Sequence, residues 1–557
     1  MTVEADSDLL RDTARMTGHE ALAKNIEAAM ALANAVRSTL GPFGLDKMLV
    51  DDEGRILVTN DGVTVIDTAR VEHPAAKMII SASTIQDEVA RDGTTSTILL
   101  AGELLVNAWE LIQQGVHPAQ IAAGYRFASE AADRALPDIA REMNGDKELL
   151  EATMTSLAGK GQTSNRAHLA RIAVKAAQSI AVVSEAGFPK DSAGGTDEES
   201  GSAGTIAGSE SGIRADPTLV KVIANRGGVT TDSHLVRGLV LAKSCIHSDM
   251  VDWLGGGKVL LIDGGLERRA PSLDATLKIT SPGMLKDFRD KDRELLHQQV
   301  NAVIALSPNL VVVRDGVDDE ARQWLADAGI TTYRRVESAD LDLLARACGA
   351  TMIHRPEDAD AKALGTFASS REELWQETTH WILEGSAESG VTLVICGTTE
   401  EVMAEAERCF DDALGVACQL LEEPYLLPGG GATHIALARR IRRHAEGIPG
   451  REQLAAEGFA DALEVIPRTL AENSGIDPID ALLQLVAGQT ANGDWVGLDA
   501  DGKSPEDMDA KAIREPLRIT RQVIRGATDS AISLLRIDDV LWARQEPTIP
   551  DGVFDQD

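Results

Sequence analysis

Both ends of this 557-residue chain are Ala/Leu-rich with helical spacing, and its middle is not. Near the start, Leu9, Leu10, Ala14, Ala21, Ala23, Ile26, Ala29, Met30, Ala33 and Val36 approximate one stripe, which predicts a helix over 8–40. Further helical patterns cover about 74–90, 95–114, 118–142 and 147–158, and helical texture returns from about 425. Between them, the strand-like runs Lys258–Ile262 and Leu310–Val313 alternate with helices near 284–305 and 318–328, an α/β pattern. The chain is too long for one core. The expected arrangement joins the two helical ends into one discontinuous domain around an inserted α/β region. Met48–Val50 and Ile56–Val58 flank Asp51-Asp52-Glu53-Gly54-Arg55 and predict a β-hairpin. Residues 191–212, almost all Gly, Ser, Ala, Thr, Asp and Glu, predict a flexible acidic loop.

Composition removes several function classes. A formal charge of -34 opposes general affinity for nucleic acid or anionic membranes. No uninterrupted apolar run reaches about 18 residues, and the N-terminus lacks a basic-then-apolar signal pattern, so a cytoplasmic protein is expected. Five cysteines, Cys245, Cys348, Cys396, Cys409 and Cys418, form no C-x-x-C pair and read as free thiols. Arginine (38) outnumbers lysine (16) and acids exceed both, which suits an acidic surface in a salt-rich cytoplasm.

Asp92-Gly93-Thr94-Thr95-Ser96 precedes the apolar run Thr97-Ile98-Leu99-Leu100-Ala101. Unpaired N–H groups at a helix start attract phosphate, and an adjacent carboxylate requires a bridging divalent cation. An ordinary Thr/Ser helix cap is the alternative. Three more glycine turns stand at element ends: Leu40-Gly41-Pro42-Phe43-Gly44, Thr59-Asn60-Asp61-Gly62 and Gly429-Gly430-Gly431-Ala432. Each could bring bare backbone to a phosphate, or simply stop a helix, make a turn or link two elements. Asp412 lies in a helical pattern, where a solvated face is the default, and Lys160 follows Gly159. ATP hydrolysis needs a metal-holding carboxylate and a group that orients water, roles open to Asp92, Asp61 and Asp412 if folding gathers them. No Walker A spacing, zinc-protease helix or G-x-S-x-G elbow is present.

Taken in order, these segments resemble the group II chaperonins, the archaeal thermosomes and eukaryotic cytosolic ring chaperonins, with a haloarchaeal-type character. The resemblance runs from Leu40–Val50 through Thr59–Gly62, His73–Lys77 and Asp92–Thr95 to Arg314–Asp319 and Tyr333–Val336. It resumes at Glu407-Arg408, Asp412–Leu414, Gly429–Ala432, Glu515-Pro516-Leu517 and Leu535–Asp539. It implies a multidomain α and α/β fold. A helical equatorial domain would join 1–148 to 422–557, a hinge-like intermediate domain 149–224 to 371–421, and an apical α/β domain with a helical lid protrusion would span 225–370. It further implies ATP and Mg2+ as cofactors, homologous subunits in a double ring, and unfolded proteins as clients.

By the same resemblance, Leu40, Gly41, Pro42 and Gly44 form a phosphate-side loop, and Gly62 accompanies Asp61. Asp92 matches the magnesium ligand, with Gly93, Thr94, Thr95 and Ser96 around the phosphates. Asp61 and Asp412 match carboxylates near the attacking water, and Lys160 a nucleotide-sensing lysine. Gly430 and Gly431 would pass under the nucleotide, with Asp507 or Glu515 near adenine or ribose. Three positions depart from the family: Arg91 for the usual Gly, Asp411 for His, and Cys396 for Arg. Arg91 costs strain if its φ is positive, and otherwise its cation is available for pairing. These departures admit slowed hydrolysis, or a scaffold subunit that binds nucleotide and barely hydrolyses it. Met250, Val251, Trp253 and Leu254 lie where the protrusion would begin, either exposed to clients or packed in the apical core.

Overall fold

The computed structural model describes residues 13–50, 54, 56–68, 71, 73–160, 163–183, 212–268, 282–386 and 390–543. They divide into two compact units. The first takes the described residues up to 160 and those from 423 onward, and the second takes those between. All but Gly212 of the expected acidic loop lies outside the described residues.

The first unit opens with a correction. Thr13–Thr17 is a strand, not helix, paired antiparallel with Asp539–Ala543. Helix α1 (Gly18–Arg37) begins only at Gly18, whose φ is 61° and whose N–H reaches the Asp538 carbonyl. The strand's partner lies at the other end of the sequence, so local periodicity could not reveal it. The hairpin Lys47–Val50 with Ile56–Thr59 follows as expected. Then come α2 (Gly62–Thr68), α3 (Pro74–Ala90), α4 (Thr94–Gln113), α5 (Pro118–Ile139) and α6 (Gly145–Ser156). His73 and His117 cap α3 and α5 through Nδ1, each followed by proline at the first helical position. Helix α5 stops before the predicted 142 because Arg141–Glu142 becomes a strand paired with Tyr425 and Leu426.

Helix α4 is the spine of this unit. It is long and apolar enough to cross a membrane by composition alone. Here its apolar faces meet protein: Ile98, Leu99, Leu100, Ala101, Leu104 and Leu105 are fully buried. It packs on α1 so closely that a Cβ at Gly102 would lie 2.8 Å from that of Ala33.

In the second unit α7 (Thr163–Ile180) leads into a nine-stranded mixed sheet. From one edge the strands are Thr331–Tyr333, Leu310–Val313, Gly257–Ile262, Gly365–Trp375, Thr378–Gly385, His234–Leu241, Val391–Gly397 and Val220–Arg226, with Trp253–Leu254 paired to Gly365–Trp375. The first three are parallel. Both faces are covered. Leu260, Ile262, Val311 and Val313 meet Leu296 and Val300 of α8 (Pro282–Ala305) and Leu325 of α9 (Asp319–Asp327). The alternate residues Val259, Leu261, Leu310 and Val312 meet Leu341 and Leu344 of α10 (Ser338–Cys348). Continuous apolar runs such as Leu310–Val313 are what a strand covered on both faces requires. Helix α11 (Glu400–Glu422) closes the insertion.

The expected lid segment splits between its two readings. Residues 247–254 form turns and a two-residue strand, with Met250 in the core and Trp253 62% exposed. Residues 269–281, between this segment and α8, lie outside the described residues.

The chain then re-enters the first unit. Strand Tyr425–Pro428 pairs with Arg141–Glu142 on one side and Arg514–Pro516 on the other. Helices α12 (Ala432–Ala445), α13 (Glu452–Leu463), α14 (Val465–Asn473) and α15 (Pro478–Asn492) precede the hairpin Val496–Asp499 with Ser504–Asp507, and α16 (Leu517–Leu535) completes the core.

Candidate functional site

The α3–α4 junction carries the Asp92–Ser96 segment. Arg91 ends α3 in the left-handed region at φ 55°, and Gly93 starts α4 at φ 81°. Among the described residues no side chain caps α4, so the reading of an ordinary Thr/Ser cap fails. The first N–H groups of α4, at Thr94, Thr95 and Ser96, precede the first intrahelical donor, Thr97. Gln86 fixes the turn, its Nε2 donating to the Asp92 carbonyl at 2.8 Å. Glycine is required at 93, since a Cβ there would stand 2.7 Å from Val523 Cγ2.

Two further turns converge on this end. A Cβ on Gly62 would lie 2.7 Å from Thr95 Oγ1, so the Thr59–Gly62 turn abuts the first turn of α4. Asp61 caps α2: its Oδ2 accepts from the Thr64 amide at 2.9 Å and hydroxyl at 2.6 Å. Buried Asn60 donates through Nδ2 to the Gly159 carbonyl at 2.9 Å. Gly159, at φ 91°, passes so near the Gly41 carbonyl that any Cβ would collide with it. Asn473 pins the 40–44 loop by donating to the Leu40 carbonyl at 2.8 Å. Lys160 Nζ lies 3.6 Å from Asp92 Oδ1. Leu40, Gly41, Pro42 and Gly44 thus share a neighbourhood with Asp61, Gly62, Lys160 and the 92–96 turn.

The Gly429–Gly431 turn belongs to the same unit. Gly430 and Gly431 have φ 61° and 73°, and Gly431 opens α12 without a side-chain cap. Leu498 donates to the Gly430 carbonyl at 2.9 Å, laying the 496–499 strand over the turn. Glu515 Oε1 stands 3.3 Å from where a Gly429 Cβ would be. Burial first, and then the Asp92 charge, push the Glu515 carboxyl up to about 7 against a weaker pull from the Thr520 side chain. Asp507 is exposed and accepts from the Asp509 amide at 3.0 Å.

Asp87 was not anticipated from sequence. On the last turn of α3, its carboxyl is raised by burial and the Asp61 charge and lowered by Arg91 and Lys160. The available signal was its i,i+4 spacing to Arg91 just ahead of Asp92. Arg91 itself is half-buried, and its Nε is buried without a hydrogen-bond partner among the described residues. A second such atom is Nε2 of His434, in the first turn of α12, whose ring burial pushes down to about 4. Asp412 and Asp411 lie half-buried on α11 of the second unit. Buried Cys396 donates its amide to Ser233 Oγ at 3.0 Å.

Comparison with known proteins matches residues 32–545 to the TCP-1/cpn60 chaperonin family. The chain belongs to that family. It is similar to the thermosome subunit of Methanopyrus kandleri, 39% identical over 534 residues that cover 95% of this chain and 93% of the relative. The thermosome subunit beta of Thermoplasma acidophilum is 37% identical over 536 residues (96% and 94%), and the thermosome subunit of Methanocaldococcus jannaschii 39% over 541 residues (96% and 95%). These relatives make the chain a group II chaperonin. In this chaperonin the turns at 40–44, 59–62 and 159 gather around the start of α4 although they are far apart in sequence.

Two predictions follow from this geometry. Left-handed backbone costs a non-glycine residue about 1–2 kcal/mol, partly offset by glycine's greater unfolded-state freedom. Arg91→Gly should therefore stabilise the first unit by roughly 0.5–1 kcal/mol, read as a raised midpoint in thermal unfolding. His434 gives a pH signature. Its folded-state pKa is depressed, so below about pH 6.5 the unfolded chain gains a proton that the folded chain refuses. Stability should fall by about 2 kcal/mol between pH 6.5 and 5 in wild type. Denaturant titrations should show that increment missing in His434→Gln.

Proposed function

We propose that this chain is an ATP-driven subunit of a double-ring chamber that captures non-native proteins and releases them through a nucleotide cycle. The observation that carries the reading is the uncapped start of α4 with Asp61, Asp92 and Lys160 around it. Backbone N–H groups there and at the 40–44 and 429–431 turns would receive the phosphates. Asp92 would hold Mg2+, which when bound neutralises charge on the phosphate oxygens. The donor set suits that ion, which takes one or two carboxylates and fills its shell from phosphate and water.

Asp61 would use the oxygen not anchored by Thr64 to orient the attacking water. Asp412 is assigned as the second carboxylate, supplied when the hinge moves, so that hydrolysis is coupled to motion. Of the two acids proposed near adenine or ribose, Glu515 is favoured over exposed Asp507. A carboxyl balanced near neutrality can donate to, or accept from, a ribose hydroxyl. The reading divides the chain into the equatorial, intermediate and apical parts expected from the resemblance. Homologous subunits are its ring partners, unfolded proteins its clients, and the cytoplasm its compartment.

An ATPase assay of the purified chain in high salt tests this. Wild type should hydrolyse ATP with Mg2+ present. Asp412→Ala and Asp61→Ala should each lose roughly 100-fold or more while still binding ATP, and Asp92→Ala should lose nucleotide binding as well. Equally flat activity in wild type and Asp412→Ala would instead support the scaffold subunit. The acidic surface is proposed as a salt adaptation. Dialysis to low salt should then dissociate or unfold the assembly, and an unchanged sedimentation profile would sink that proposal.

A further inference from the structure

Arg514 is a buried cation beside the candidate site, with only 7% of its side chain exposed. Its guanidinium bonds Glu151 through Nη1 and Asp509 through both Nε, at 3.1 Å, and Nη2, at 2.8 Å. Nη2 also donates to the Asp509 carbonyl at 3.0 Å and lies 3.9 Å from Glu148. Arg141 completes the group by pairing with Glu148 at 2.8 Å and Asp509 at 2.6 Å. The Arg514 amide donates to Thr155 Oγ1 at 3.3 Å. Both Glu151 and Thr155 belong to the last two turns of α6.

What α6 leads into gives this network its consequence. Four residues after Thr155, Gly159 presses on the Gly41 carbonyl and accepts from Asn60. The next residue, Lys160, stands 3.6 Å from Asp92. On the other side, Arg514 is followed at once by Glu515. One side chain therefore holds two separate contributors to the site, the end of α6 with its glycine-lysine turn and the strand carrying Glu515. A planar fork with several fixed donors does this better than a point charge. Buried ion networks of this kind do little for net stability, because desolvation cancels much of the attraction, so their value lies in fixing geometry.

We propose that Arg514 is a positioning residue for nucleotide recognition, setting Lys160 and Glu515 in register across the site. The proposal rests on the reading of that site as an ATP site. Its reach is affinity for nucleotide and not chemistry at phosphorus, because Arg514 is two contacts removed from Asp61.

The test uses the full chain and measures ATP binding by calorimetry, steady-state hydrolysis and nucleotide-free thermal unfolding. Arg514→Met should raise KM and the dissociation constant for ATP roughly 5- to 20-fold, with kcat changed less than about threefold. Arg514→Lys should fall between, since lysine keeps the charge without the fork. Arg514→Met leaves half-buried Glu151 with only the exposed Lys147, 3.7 Å away, as a cation partner, so Arg514→Met/Glu151→Met removes both ends of the Arg514 pair. That double variant should recover thermal stability and keep the raised KM. A double variant or Arg514→Lys that is folded with KM within twofold of wild type overturns the proposal. Wild type that binds no ATP overturns the functional reading itself, and is distinguishable because it involves no variant.

Discussion

The structure of the first unit depends on burying the apolar faces of α4. A helix with Ile98–Ala101, Leu104 and Leu105 fully buried needs partners on several sides, and its sequence neighbours α3 and α5 cannot supply them all. The missing cover comes from α1 at one chain end and from α13 and α16 at the other. Until the C-terminal segment returns, that surface faces water, at a cost of about 25 cal/mol per Å2 of apolar area. The second unit is therefore an insertion that the first must tolerate. The strand Tyr425–Pro428, lying between Arg141–Glu142 and Arg514–Pro516, is where the return is registered.

The same burial makes the site. Because α4 is held in the core, its N-terminus can remain uncapped by any side chain, with its dipole and free N–H groups available to an anion. In a chain of net charge -34, with Asp61, Asp87 and Asp92 close together, a polyanionic ligand has to overcome substantial repulsion. The local answers are Lys160, Arg91 and the helix end, and a divalent cation would add the largest compensating charge. Arg91 brings that charge at the expense of a strained backbone, in a position where glycine would be at ease.

Much of this was legible in the sequence, and what was missed has a common cause. Helices α3 and α4 appear almost residue for residue, because apolar spacing is a local signal and Gly93 and the proline after His73 punctuate it. The two-faced apolar strands of the second unit were equally plain. The strand Thr13–Thr17 was hidden because its partner is Asp539–Ala543, and a five-residue segment with Ala14 and Met16 fits a helix as well. The truncation of α5 has the same origin, since only Tyr425 and Leu426 make a strand of Arg141–Glu142. In the candidate site, the close approach of the glycine turns was legible, because glycine marks positions where backbone comes near. Asp87 and Arg514 were not, because each acts through side-chain partners that folding brings from distant segments.

That difference also separates what ionic strength can alter from what it cannot. Surface carboxylates repel through water and are screened within about 10 Å at 0.1 M salt, so they govern solubility and association. The Arg514 side chain is buried although its partner Asp509 is exposed, so screening of those contacts is weaker than at the open surface. The glycine contacts of Gly41, Gly62, Gly93 and Gly159 are steric and have no charge to screen. The backbone geometry around Asp92 is consequently fixed chiefly by steric contacts indifferent to salt, while the outer charge is free to follow the solvent. An acidic surface and the proposed nucleotide site can coexist in one chain because different forces, acting in different dielectric surroundings, set each of them.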